Sequence, residues 1–177
     1  LSPRPACAAL IRLFGGEPEK DVRYGASFDN KRMNVKTPEC KLRLSEMVLM
    51  LAEAYCHKGD SEKALKWLNE LRRNRIEGVS DLTVGTLPEV REGDRIVVDC
   101  YGKPLTPLLQ AIFDERRKEM YMEGDRWYEL KRNGCPEWWI ISNGLKYTTK
   151  AYLYTSPISK SDVDLNPGLE QNPGYVY

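Results

Sequence analysis

The chain has 177 residues, which is enough for one domain with a hydrophobic core or for a large lobe of a bigger domain. Its 27 lysines and arginines nearly balance its 26 aspartates and glutamates, so the formal charge is +1. This balance argues against nucleic-acid binding, which requires a clearly basic face. No stretch approaches the roughly eighteen consecutive apolar residues of a membrane-spanning helix.

Residues that usually carry metal or nucleophilic chemistry are few and scattered. The five cysteines include no C-x-x-C pair, so we expect free thiols rather than a zinc site or a disulfide framework. The only histidine, His57, lies beside a Gly-Asp turn, where an exposed structural role is expected. Asp162-x-Asp164-x-Asn166 is similar to the start of a calcium loop, but Pro167 stands where that loop needs glycine. We therefore predict no metal and no cofactor.

Residues 1–40 form a mixed lead-in. A short helix is predicted from Ala6 to Phe14, and Gly15-Gly16 would end it. From Asp21 to Pro38, apolar residues stand singly among polar ones, which favours short extended pieces over helix.

Residues 41–76 carry a strong helical pattern in two runs, separated by Lys58-Gly59-Asp60. Asp60 or Ser61 can cap the second helix, and so short a turn makes the two helices pack antiparallel. The residues that would interlock them lie where a tetratricopeptide repeat has its packing residues: Leu51, Ala52, Tyr55, Gly59, Ala64 and Leu68. Such a hairpin needs other helices stacked against it.

Residues 77–104 are predicted to form a long loop with a short strand at 94–99. Residues 105–133 form a charged helical block that begins at Pro107, with Gly124 as a point of interruption. Charged residues fall on the helix face that should be buried, where an unpaired charge is costly. The pattern therefore predicts a structural ion-pair network. Its members are Glu115, Arg116, Glu123 and Arg126.

Residues 134–177 are predicted to form an aromatic loop followed by a tail of turns that wraps the surface. Trp138 and Trp139 are adjacent, so both cannot point to one side of an extended segment, and an exposed indole suits a sugar ring. Tyr24 and Tyr101 lie in segments predicted to be non-helical, where binding residues collect. These four residues are the candidate ligand contacts, and packing in the core is the alternative for each.

These elements predict a mainly α fold of tetratricopeptide-like hairpins with long irregular loops and few short strands. Several motifs, in this order, also resemble the C-terminal portion of the SusD/RagB family. They are Asp21-x-Arg23, Arg43-x-x-Glu46, Ala52-Glu53-Ala54, Leu68-Asn69-x-x-Arg72, Ile112-x-x-Glu115-Arg116-Arg117-x-Glu119, Glu123-Gly124-x-Arg126-Trp127, Asn166-Pro167 and Gln171-Asn172-Pro173-Gly174-Tyr175. The resemblance covers most of the chain.

The resemblance implies a surface-exposed lipoprotein of the bacterial outer membrane that binds glycans or other nutrient oligomers and is not an enzyme. It also implies a partner, a TonB-dependent outer-membrane transporter of the SusC type. The lipid anchor of such a protein would lie in a part absent from this chain.

Two other functions remain open. A tetratricopeptide-type adaptor would grip a peptide of a partner protein, but only one repeat is evident and it leaves the aromatic segment unexplained. A glycoside hydrolase would need two exposed carboxylates, and Glu115 with Glu119 or Glu123 has suitable spacing on a helix. Arginines adjacent to these glutamates favour a structural role instead.

Overall fold

The computed structural model describes residues 7–37 and 42–176. Within those ranges it contains seven α-helices, several short 3-10 turns and one two-stranded sheet, which confirms the predicted mainly α fold. The described residues divide into two compact units. The first comprises the described residues of Leu1–Glu92 and Leu105–Tyr128, and the second comprises those of Gly93–Pro104 and Glu129–Tyr177. The predicted boundary at residues 40 and 41 lies outside the described ranges, as do Ala6 and Cys40.

The first unit begins with α1 (Ala8–Ile11), which continues as a 3-10 turn and ends at Gly15 with a φ of 75°. This confirms the predicted short helix and its glycine stop. The expectation of extended pieces after Asp21 is wrong for Val22–Ser27, which forms α2. Six residues are too few to show a helical period, and the helix depends on a cap and on tertiary contacts. The Asp21 carboxylate caps it by accepting the N–H of Arg23.

The predicted hairpin is present as α3 (Leu44–His57) and α4 (Ser61–Arg73). Gly59, with a φ of 78°, provides the left-handed residue of the turn, and the Asp60 side chain accepts the N–H of Lys63 as the cap of α4. Both helices pack against α5 (Pro107–Glu119), whose first turn is capped by Thr106. The third helix supplies the stacking partner that a single hairpin lacks.

These three helices enclose the main hydrophobic core. Its buried members are Leu49, Ala52, Ala64, Leu65, Leu68, Leu71, Leu108, Ala111 and Ile112. Ala52 and Ala64 are fully buried, and their small size lets the helices approach closely. The expectation that Leu51 interlocks the hairpin is wrong, since Leu51 is 40% exposed and lies outside this core. The loop that follows α4 is fixed to it, because the Asn69 amide bonds both the carbonyl and the N–H of Leu82, at 2.8 and 2.9 Å.

The charged block predicted over 105–133 is two helices instead of one, since α6 (Asp125–Arg132) follows a break after α5. Met122 and Gly124 in that break have φ angles of 63° and 81°. Left-handed backbone cannot continue a right-handed helix, so the interruption expected at Gly124 separates the block completely.

The second unit contains an antiparallel hairpin where an aromatic loop was predicted. Strand β1 (Trp138–Ser142) pairs with β2 (Leu145–Thr149) through a two-residue turn at Asn143-Gly144. Positive φ angles of 51° and 75° at these two residues correspond to the turn that best matches strand twist. The strand predicted at 94–99 is reduced to an isolated bridge between Val98 and Pro104.

The tail after the hairpin contains a 3-10 turn at Ala151–Tyr154 and the short helix α7 (Lys160–Leu165). Consecutive turns follow, as predicted, and side-chain amides tie them back to earlier residues of the tail. Gln171 bonds both the N–H and the carbonyl of Ile158, and Asn172 donates to the carbonyl of Ser156. None of the described helices combines the length and apolar character needed to cross a membrane.

We expect Leu68→Ala to destabilise the first unit by about 3 kcal/mol, because it leaves a cavity among three helices. Leu68 is fully buried, whereas Leu44 at the start of α3 is 77% exposed. Leu44→Ala is therefore the matched control and should change the free energy of unfolding by less than about 0.5 kcal/mol. Urea unfolding followed by circular dichroism measures both, and equal losses would contradict the assigned core.

Candidate functional site

The two adjacent tryptophans lie on β1 and point to opposite faces of the hairpin, because side chains alternate along a strand. Trp138 pairs with Thr149 across the strands, and Trp139 pairs with Thr148. The expectation that the two tryptophans cannot point to one side of the segment is therefore confirmed, because they are successive residues of a strand.

Trp138 is fixed by contacts on its own face. Its indole N–H donates to the Tyr154 hydroxyl at 3.1 Å, and that hydroxyl donates to the Pro136 carbonyl at 2.9 Å. The guanidinium of Arg95 lies 3.9 Å from the centre of the indole ring. Tyr154 itself is buried, so this set anchors the hairpin to the rest of its unit. Trp138 therefore holds β1 in place, and its ring is occupied by these contacts.

Trp139 is 55% exposed and lies among other exposed residues. Its face of the hairpin, here called the Trp139 face, consists of Trp139, Ile141, Lys146 and Thr148. The Lys146 ammonium lies 5.1 Å from the centre of the indole ring. Thr148 is directly opposite Trp139 in the register and is also exposed. The face therefore combines a broad aromatic surface, a cation and a hydroxyl.

The opposite face also exposes apolar side chains, among them Tyr147, which was not predicted as a site residue. Tyr147 is 51% exposed and pairs with Ile140 across the strands. The Asn143-Gly144 dipeptide between two β-prone runs was the indication that could have found it, since this pair is the strongest short-range mark of a hairpin.

The two candidate tyrosines have different surroundings. Tyr101 belongs to the same unit as the hairpin and is 70% exposed, in a turn where the Asp99 carboxylate accepts its N–H at 2.9 Å. Tyr24 belongs to the other unit and packs in an aromatic cluster, with its ring centre 5.3 Å from those of both Phe14 and Phe28. Its surroundings favour the packing alternative.

Two of the residues predicted to form an ion-pair network, Glu115 and Glu123, are linked through shared arginines, and Arg116 pairs with other carboxylates. Glu115 is buried on α5 and receives cations from three segments: Arg23 at 2.8 Å, Arg72 at 3.0 Å and Lys118 at 2.9 Å. Burial by itself would raise the pKa of Glu115. The charges of Lys118, Arg23 and Arg72 outweigh that effect and lower the pKa to about 2.

Glu119, one turn further along α5, is the second centre of this cluster and was not predicted as a member. Arg75 donates to it through two nitrogens at 3.0 Å, and Arg23 and Arg43 each lie 3.4 Å away. Burial raises the pKa of Glu119, but the hydrogen bond and charge of Arg75, the charge of Arg23 and a hydrogen bond from Ser45 together outweigh it, so the pKa is lowered. Asp21 completes the cluster through a two-point contact with Arg23, at 2.7 and 2.8 Å.

The remaining predicted members lie around this cluster. Arg116 pairs with Asp125 at 2.6 Å across the break between α5 and α6, and with Glu46 of α3 at 3.5 Å. Glu123 is buried and pairs with Arg43 at 3.0 Å and with Lys36. Arg126 is half-buried on α6. We define the buried ion-pair cluster as Glu115, Glu119, the cations that pair with them, and Asp21, which pairs with two of those cations. These are Asp21, Arg23, Arg43, Arg72, Arg75, Glu115, Lys118 and Glu119.

The chemistry open to this cluster is limited. A glycosidase acid needs a raised pKa and access to substrate, whereas Glu115 and Glu119 are buried, carry lowered pKa values and are occupied by cations. In the described parts of the chain, no three side chains of the metal-ligating types come together.

We expect the stability of the protein to fall in acid through this cluster. The folded pKa of Glu115 lies below its unfolded value, so its stabilisation is complete above about pH 4.5 and is lost as pH falls toward 2. Glu115→Gln should lower the free energy of unfolding at pH 7 by roughly 3 kcal/mol and flatten its dependence on pH. Urea midpoints at pH 7, 5 and 3 measure this.

The exposed loop residue Glu89 provides the control, since Glu89→Gln removes one carboxylate without a buried partner. Its midpoints should follow those of the unaltered protein at every pH. A Glu115→Gln protein that keeps the full acid loss would contradict the assigned role of Glu115.

Comparisons with known proteins agree on one family. The model of the SusD family matches residues 15–175. A SusD-like protein of Formosa agariphila is 32% identical over 134 residues, which make up 75% of this chain and 24% of that protein. A crystal structure from Bacteroides vulgatus, of a protein to which sugar binding has been attributed, is 29% identical with a TM-score of 0.64. The match covers 96% of this chain and 39% of that one.

The chain thus spans about a quarter of the length of its curated relative and about two fifths of the solved one. The matched region includes the three core helices, the buried ion-pair cluster and the aromatic hairpin. On the extent of this match, the chain belongs to the SusD family.

Proposed function

We propose that this chain is the part of a glycan-capturing protein that presents an aromatic binding surface, and that this surface is the Trp139 face. The observation that carries the proposal is the contrast between the two tryptophans. Trp138 is held by Tyr154 and Arg95, while its neighbour is left 55% exposed. An indole held open to solvent offers a flat apolar surface on which the C–H face of a sugar ring packs.

The composition of the face supports this use. Lys146 and Thr148 add a charged donor and a hydroxyl beside the ring, which are the polar groups that fix the orientation of a ligand. Tyr101, exposed in the same unit, is a second candidate contact. Sugar binding attributed to the Bacteroides vulgatus relative is consistent with this proposal.

Capture without catalysis is the proposed mode of action. The paired carboxylates that could have suggested glycoside hydrolysis are buried among cations, and the charges on β1 and β2 include no carboxylate. The Trp139 face therefore has the groups to hold a sugar but not the acid and base needed to cleave one.

The family also suggests where capture leads. We propose that the whole protein is exposed at the bacterial outer membrane, held there by a lipid anchor, and passes its ligand to a TonB-dependent transporter of the SusC type. The chain's membership of the SusD family supports this proposal.

A second candidate, protein–protein adaptor, is favoured by one feature of the first unit. α3 exposes Leu44, Met47 and Leu51, which lie three and four residues apart and so share one side of the helix. This apolar side is suited to contact with another helix. Such a contact is compatible with glycan capture, since it involves the other unit of the chain.

The test is calorimetric titration with a panel of soluble plant, mucin and bacterial oligosaccharides. We expect saturable binding of one glycan class, without release of smaller sugars. Trp139→Ala should weaken that binding about tenfold, the upper range of an aromatic contact, because it removes the exposed ring.

The matched control is Trp127→Phe, which alters a tryptophan of α6 outside the hairpin and should leave the affinity unchanged. Circular dichroism checks that both variants are folded. Unchanged binding by Trp139→Ala would show that the ligand surface lies elsewhere, and sugar release would show an enzyme.

A further inference from the structure

Lys146 is the only charged residue in either strand of the hairpin. It faces Ile141 across the strands, on the same face as Trp139. Among the described residues it has no acidic partner, and its ammonium contacts the indole ring of Trp139. The next lysine along the chain differs, since Lys150 pairs with Glu137 at 2.8 Å. The hairpin therefore carries one unneutralised cation, and it lies over the exposed ring of Trp139.

We propose that the Trp139 face selects a sugar that carries a carboxylate, a hexuronic acid residue, and that Lys146 is the residue that determines this specificity. The inference rests on the proposed glycan capture and deepens it by naming the class of ligand. The inference rests on charge complementarity, because a carboxylate of the ligand would give the Lys146 ammonium the anionic partner that the hairpin does not provide.

The position of the ammonium favours an anion on the stacked ring itself. A sugar ring packed on the indole would lie about 4 Å above it, at ordinary van der Waals distance. The ammonium lies over the indole ring, 5.1 Å from its centre, so a sugar that stacks on this face displaces the flexible lysine side chain to the edge of that sugar. A carboxylate borne directly by a ring carbon can then reach the ammonium at about 2.8 Å, the usual length of a charged hydrogen bond. A neutral sugar leaves that ammonium without an anionic partner.

Two further features assist this selection. Attraction between the ammonium and the indole face keeps the long lysine side chain near the ring, so less of its freedom is lost when the ligand binds. Thr148, directly opposite Trp139, can hydrogen-bond a hydroxyl of the same sugar. Aromatic ring, cation and hydroxyl would then each contact a different part of one uronic acid residue.

The experiment uses pairs of ligands that differ only in charge. Oligogalacturonate and its fully methyl-esterified form share a backbone, and oligomannuronate and hyaluronan oligosaccharides extend the uronic acid set. Neutral xylo- and manno-oligosaccharides and a sulfated galactan oligosaccharide complete the panel. Calorimetric titration at 50 and 500 mM sodium chloride gives each affinity, because screening weakens a contact between exposed charges.

The matched control is provided by a second lysine of the same kind. Lys66 lies 5.7 Å from the centre of the Trp67 ring, outside the hairpin. Lys146→Met should weaken binding of the preferred uronic acid ligand about three- to fivefold and remove its dependence on salt, the size expected for one exposed ion pair. Lys66→Met should leave both unchanged.

Binding of a uronic acid ligand more tightly than any neutral or sulfated one, with this dependence on Lys146, supports the inference. Tighter binding of a neutral or a sulfated ligand, or equal binding of the esterified and free acids, overturns it while glycan capture stands. The inference is also overturned if Lys146→Met leaves the affinity for the uronic acid ligand unchanged. If no ligand binds to folded protein, the proposed function itself fails, and this inference fails with it.

Discussion

Two buried carboxylates on α5, Glu115 and Glu119, are the constraint on which the first unit depends. Removing an ionised group from water costs several kcal/mol, and only close, well-placed cations offset it. Those cations come from distant parts of the chain: Arg23 on α2, Arg43 before α3, Arg72 in the last turn of α4 and Arg75 just after that helix. Displacing any of these segments would leave a charge uncompensated, so the cluster allows one arrangement of the helices.

The cluster also explains why a charged face on α5 is compatible with burial. In the first half of α5, Leu108 and Ile112 pack in the hydrophobic core with α3 and α4. In its second half, Glu115 and Glu119 hold the helix through ion pairs. Packing alone is tolerant of small shifts, whereas hydrogen-bonded ion pairs require particular distances and angles. We propose that the cluster contributes orientation more than net stability.

The second unit uses its aromatic residues in a different way. A strand period of two sends Trp138 toward Tyr154 and Arg95 and sends Trp139 to the opposite face. Anchoring one indole allows the other to remain exposed in a defined orientation, since an isolated two-stranded hairpin is marginally stable without such support. The same residue type thus has a structural role at one position and a proposed recognition role at the next.

Local sequence determined the elements whose causes lie within a few residues: the apolar periods of α3, α4 and α5, the caps at Asp60 and Thr106, and the break near Gly124. The hairpin turn at Asn143-Gly144 was also encoded locally, although the aromatic composition around it suggested a loop. Charges on α5 predicted a network, but its partners Arg23 and Arg75 lie 92 and 44 positions from the glutamates they bind. Tertiary structure alone decided those pairings, the helix at α2 and which tryptophan stays exposed, because each depends on which distant side chains meet in space.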